Sequence, residues 1–157
     1  MTLNCAIIDD EPLAAQLLES YAKRIPILKI TGVYNSALTA MADLRLHSVD
    51  LLFLDIQMPE LSGMELARLI PSETRIIFTT AYKQYAIDGY KVSAFDYLLK
   101  PVSFESFQAT VERAAQLFFS KKQEETTHSD RFIFVKSDYK LIRVSLDDIL
   151  YIEGLKD

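Results

Sequence analysis

The chain is poor in the residues that punctuate or staple: one cysteine, four glycines and five prolines in 157 residues. A lone cysteine, Cys5, cannot close an internal disulfide, which excludes a disulfide scaffold and fits a reducing compartment. In the stretch CAII it reads as a small buried hydrophobe. So little Gly and Pro, beside a hydrophobic share of 50%, excludes a disordered chain. No block of lysines or arginines occurs and the formal net charge is −5, which argues against a nucleic-acid surface on these residues. No apolar run approaches the roughly 20 residues of a membrane span. The start, MTLNCAIIDDEP, has no basic n-region and too short an apolar run for a signal peptide. A soluble, cytoplasmic protein with no membrane partner is expected. His47 and His128 lie far apart without metal-ligand spacing and read as solvated surface. There is no Ser/His/Asp arrangement, no Gly-rich phosphate loop and no internal repeat.

What is present is an alternation of short apolar runs with longer amphipathic segments. NCAIID (4–9), LKITGVY (28–34), DLLFLD (50–55), RIIFTT (75–80) and AFDYLLK (94–100) read as strands. PLAAQLLESYAKR (12–24) reads as a helix with proline in its first turn, and SALTAMADLRLHS (36–48) as one with a serine N-cap. A short helix is expected after Gly63, and a poor one, weakened by Gly89, over 82–93. FESFQATVERAAQLFFS (104–120) is a long amphipathic helix with Phe107, Val111, Ala114, Ala115 and Phe118 on one side. Five strand–helix alternations predict an α/β fold, a doubly wound five-stranded parallel sheet covered on both faces. KKQEETTHSD (121–130) has no large apolar residue and reads as a linker. Residues 131–157 have β character but are too few to bury a core of their own, as the opening of a second domain would be.

In open parallel sheets the ligand site lies beyond the carboxyl ends of the strands. Here those ends carry Asp9, Asp10 and Glu11, then Asp55, then Thr79 and Thr80, then Lys100 and Pro101. Three carboxylates, a hydroxyl and an ammonium suit a divalent-metal and phosphoryl site. Clustered carboxylates repel one another and favour a hard cation such as Mg²⁺. A carboxylate is also a nucleophile towards phosphorus, and phosphoryl transfer asks mainly for positioning and charge neutralisation. Each residue alone has a plainer reading. Asp9 and Asp10 suit helix caps, Asp55 a turn, the threonines ordinary strand, Tyr97 ordinary core and Lys100 solvent. Their coincidence on four strand ends carries the argument.

IIDDEPLA, LLFLDIQMPELSGMEL, IIFTTAY and AFDYLLKPV together resemble the receiver domain of two-component response regulators, over residues 3 to about 120. FIFVKSDYKLIRVSLDDILYIE resembles the first strands of a LytTR-type DNA-binding domain. The resemblance implies a flavodoxin-like strand order, 2-1-3-4-5. It implies a receiver domain at 1–120, a linker at 121–130 and the truncated start of a LytTR domain at 131–157. It implies that Asp55 is the phosphoacceptor, fed by a sensor histidine kinase. Asp9, Asp10, Asp55 and the backbone carbonyl of Gln57 would hold Mg²⁺. Thr80, before Ala81, would follow the phosphoryl group, with Thr79 as strand filler. Lys100 would pair with phosphoryl oxygens, and the Lys100–Pro101 bond would be cis. Tyr97 would be the aromatic switch, and Gln57 and Tyr82 would tune loss of the phosphoryl group. Phosphorylation would drive homodimerisation through the face built from 82–120, which includes Tyr85, Tyr90 and Lys91. DNA would be bound only by the full-length protein.

Two rivals remain. A phosphatase of the haloacid dehalogenase type needs a second aspartate two residues after the nucleophile, and Gln57 stands there. A receiver-like interaction module that is never phosphorylated would not need Asp10, Asp55, Thr80 and Lys100 together.

Overall fold

A computed structural model describes residues 1–83, 94–129, 132–137 and 140–145, with side chains to residue 120. The chain divides into two compact units, Met1–Ala114 and Ala115–Asp157. In the first, β1 (Leu3–Ile8), α1 (Pro12–Lys23), β2 (Leu28–Tyr34), α2 (Ala37–Leu46), β3 (Leu51–Asp55), α3 (Gly63–Ala67), β4 (Arg75–Thr80) and β5 (Asp96–Leu99) follow in order. They precede α4 (Phe104–Ser129), which crosses the unit boundary. The five strands form one parallel sheet in the order β2-β1-β3-β4-β5, the flavodoxin-like arrangement.

The sheet is apolar on both faces because its central strands are. β3 is buried at every position. Side chains alternate across the sheet, so Ala6, Ile8, Leu52, Leu54, Ile76 and Phe78 share one core with residues of α2 and α3. On the other face Phe53 stacks on Phe107 of α4, 4.7 Å between ring centroids. Cys5 is fully buried there, and burial pushes its thiol up to about 12. The β1–β2 register slips between Cys5 and Ala6, and the Thr31 hydroxyl donates to the Cys5 carbonyl at 3.1 Å. That bond satisfies a carbonyl at the bulge.

The helix ends follow local chemistry. Pro12 opens α1, as its missing N–H costs nothing there. Ser36 occupies the N-cap position of α2, but its side chain makes no capping bond. The serine that does cap is Ser62, in a reciprocal capping box with Glu65 at the start of α3. At β5, Asp96 accepts from the Thr110 hydroxyl at 2.6 Å and pairs with Arg113, tying the edge strand to α4.

The expected end of the last helix at 120 is wrong. α4 runs to Ser129, through most of the segment read as a linker. That segment lacks apolar residues, but it also lacks Gly and Pro, and Lys, Gln and Glu are good helix formers. Nothing in it stops a helix already under way. In the second unit β6 (Phe132–Ser137) and β7 (Lys140–Ser145) pair antiparallel, Phe132 with Ser145 and Ser137 with Lys140. The helix expected over 82–93, with Tyr85, Tyr90 and Lys91, falls largely outside the described residues, as does everything after 145. Among the described residues no helix is long and apolar enough to cross a membrane.

Candidate functional site

Four strand ends converge at one rim. Asp9 follows β1, Asp55 ends β3, Thr79 and Thr80 end β4, and Lys100 follows β5. In LLFLD the first four residues fill the core, so the carboxylate emerges only where the strand stops. The chain then folds back tightly. The Ile56 N–H donates to the Thr79 carbonyl at 3.2 Å, and the Gly63 N–H to the Ile56 carbonyl at 2.8 Å. Glu60, at φ 68°, takes the left-handed turn. A Cβ on Gly63 would lie 2.2 Å from the Asp55 carbonyl oxygen, so glycine alone lets α3 begin against the backbone of Asp55.

Asp9 and Asp55 are buried and Asp10 is half-buried, and one carboxylate oxygen from each lies within 4.8 Å of the others. The Lys100 ammonium stands 2.9 Å from Asp9 Oδ2 and 3.4 Å from Asp55 Oδ1. Asp9 does two jobs. Its Oδ1 accepts from the Glu11 N–H at 3.0 Å, a turn bond at the entry to α1. Its Oδ2 is buried without an aligned hydrogen-bond donor and meets Lys100 only as an ion pair.

These charges strain one another. Burial, then the neighbouring Asp9 charge, push the Asp55 carboxyl up to about 7, against the opposing pull of Lys100. Burial pulls the Lys100 ammonium down, but its close pairing with the Asp9 and Asp55 carboxylates outweighs this and leaves it raised. The lysine is therefore firmly cationic, and among the described residues one cation faces three carboxylates. An all-oxygen set with a buried oxygen lacking a donor fits a hard divalent cation.

The two threonines point to opposite faces. Thr80 is buried, and its Oγ1 accepts from the Tyr82 N–H at 3.0 Å. Thr79 is buried towards the Asp9 side of the sheet, in a cavity lined by Asp9, Leu13, Leu17, Lys100 and Val102. Its hydroxyl has no partner among the described residues. Tyr97 stacks on Phe78 at 5.3 Å, and burial raises its phenol. Its hydroxyl too is buried without a partner among the described residues. Ala81, Tyr82 and Gln57 are exposed, and the Lys100–Pro101 bond is cis.

The response regulator receiver domain model matches residues 5–112. The chain belongs to this family. A response regulatory protein of Vibrio cholerae is 38% identical over 113 residues, 71% of this chain and 48% of that protein. The transcriptional regulatory protein BtsR of Salmonella typhi is 33% identical over 155 residues, 94% of this chain and 64% of its own length. The chain thus spans about half to two-thirds of these curated relatives. The response regulatory domain of protein mrkE from Klebsiella pneumoniae is similar in structure, with TM-score 0.69 at 29% identity over 75% of this chain and 99% of that one. Receiver domains are phosphoacceptor switches of two-component systems, and the sheet order here is theirs.

Strand-end reasoning named Asp9, Asp10, Asp55, both threonines and Lys100, and the structure brings the three aspartates and the lysine together. The resemblance set Thr79 aside as filler. Its type gave no signal, because threonine is an ordinary strand residue. The signal lay in register: Thr79 pairs directly with Asp55.

Proposed function

We propose that this receiver domain takes a phosphoryl group on Asp55 from the phosphohistidine of a sensor histidine kinase. The observation that carries the reading is Lys100, held at 2.9 Å from Asp9 and 3.4 Å from Asp55 at a rim of three carboxylates. The Asp55 oxygen forms the new P–O bond as the P–N bond to histidine breaks, and the freed imidazole regains a proton. Asp9, Asp10, Asp55 and the Gln57 backbone carbonyl would hold Mg²⁺, and the ion would supply charge neutralisation for the phosphoryl oxygens. Lys100 swings its pairing from Asp55 to those oxygens. Thr80 gives up the Tyr82 N–H and turns its hydroxyl to the phosphoryl group, beside the Ala81 backbone. Tyr97, whose phenol has no partner to lose among the described residues, repacks into the space Thr80 leaves. Exposed Gln57 and Tyr82 govern water access and so the lifetime of the acyl phosphate.

The readout is a surface. We place homodimerisation on the 82–120 face, and DNA binding in the remainder of the longer protein, beginning with the hairpin at 132–145. BtsR, named a transcriptional regulatory protein, aligns across that hairpin as well, which supports a role in transcription for the longer protein; that the hairpin opens a LytTR-type domain rests on its sequence resemblance. A kinase-fed switch that reaches DNA works in the cytoplasm. The test is intact mass after incubation with Mg²⁺ and acetyl phosphate. One added phosphoryl group is expected in wild type, and none in Asp55→Asn or without Mg²⁺. No gain in wild type would favour the interaction module that is never phosphorylated.

A further inference from the structure

Asp55 pairs with Thr79 and Thr79 with Leu98, so these residues share one face of the sheet. Asp9 lies one step past the Ile8–Leu54 pair, beside Asp55. Lys100 lies two residues past Leu98 and returns to the same face. Neighbouring strands are about 4.8 Å apart, and β4 and β3 separate β5 from β1. For its ammonium to sit 2.9 Å from Asp9, the Lys100 side chain must reach across β4 on this face, where Thr79 and Ala81 line the same cavity as the lysine. The Thr79 hydroxyl is buried with no partner among the described residues. A buried hydroxyl left unpaired is destabilising, so valine would be the better strand residue if nothing used it.

We propose that Thr79 is a positioning residue for Lys100: its hydroxyl oxygen accepts a hydrogen bond from the ammonium whenever the lysine leaves a carboxylate, both as it exchanges between Asp9 and Asp55 in the resting site and as it moves towards the transferred phosphoryl group. This rests on the phosphoacceptor reading above. The threonine gives the lysine a halfway partner, so the cation is never stranded in a buried rim.

The experiment compares wild type with Thr79→Val, which removes only the hydroxyl, and Thr79→Ser, which keeps it. Two quantities are read on the full chain: the phosphorylation rate at saturating acetyl phosphate with Mg²⁺, and the Lys100 Cε methylene signals by NMR without donor. Thr79→Val is expected to phosphorylate about tenfold more slowly, or about 1.4 kcal/mol, with displaced Lys100 signals. Thr79→Ser should stay within about twofold of wild type, with the signals in place. A Thr79→Val protein that keeps either the wild-type rate or the wild-type Lys100 signals overturns the proposal. If wild type takes up no phosphoryl group, the phosphoacceptor reading fails separately, and the Lys100 signals alone decide whether Thr79 positions the lysine.

Discussion

The two rims of the sheet are built on opposite terms. At the amino end, polar groups are satisfied. The Asp50 carboxylate accepts from the Asn4 N–H at 2.8 Å, and its carbonyl accepts from the Arg75 N–H at 2.9 Å. The buried Thr74 hydroxyl donates to the Val49 carbonyl at 2.7 Å. Towards the carboxyl end, Thr79 Oγ1 and the Tyr97 hydroxyl are buried without a hydrogen bond among the described residues, Asp9 Oδ2 has only its ion pair with Lys100, and Asp55 is pushed towards neutrality. The same strands feed both rims, so the difference is not a matter of fold. One rim spends its polar groups on stability. The other leaves them unpaired among the described residues, which is what the proposed phosphoryl acceptance would use.

Mutations should divide along that line. The largest effect is expected where the poised rim leans on the backbone. Gly63→Ala forces a methyl against the Asp55 carbonyl and should cost about 3 kcal/mol, read from the midpoint of urea unfolding. A midpoint like that of wild type would mean that α3 does not hold the Asp55 strand end. At the satisfied rim, Thr74→Val strands the Val49 carbonyl and should cost about 1–2 kcal/mol in the same assay.

At the poised rim the sign should reverse. Asp55 binds its proton more tightly folded than unfolded, since its folded pKa is about 7 against an ordinary 3.8. Between those values the native state holds the extra proton, so this group's contribution falls as pH rises and is lost above about 7. Asp55→Asn carries no such penalty. In EDTA its melting temperature should exceed that of wild type by roughly 4 °C at pH 8, with the gap closing towards pH 4. Mg²⁺ should narrow the gap at pH 8 by stabilising wild type alone. A constant gap across pH would place the strain elsewhere than on the Asp55 charge. The smallest effect belongs to neither rim: Glu65→Ala breaks the exposed capping box of α3 and should cost about 0.5 kcal/mol by thermal melt.

How much of this was legible in the sequence depends on what kind of signal each part leaves. The sheet was readable because parallel strands buried on both faces are continuous apolar runs, as LLFLD is. The acidic rim was readable because a charge that ends such a run has one place to go. Two things were not. KKQEETTHS looked like a linker because a helix without an apolar stripe has no periodicity to detect, although its composition favours helix. Thr79 looked inert because its place beside Asp55 is a fact of strand register between residues far apart in the chain, which no local pattern records.

The solitary cysteine has a practical consequence. Cys5 is sealed in the core and its thiol, at about 12, stays protonated at any pH where the protein would be handled. It is therefore silent towards maleimides and alkylating reagents while the fold is intact. A cysteine introduced at an exposed position can carry a fluorophore or spin label with no background to remove first. Conversely, the moment Cys5 does react, the β1 strand has opened, and the molecule reports its own unfolding.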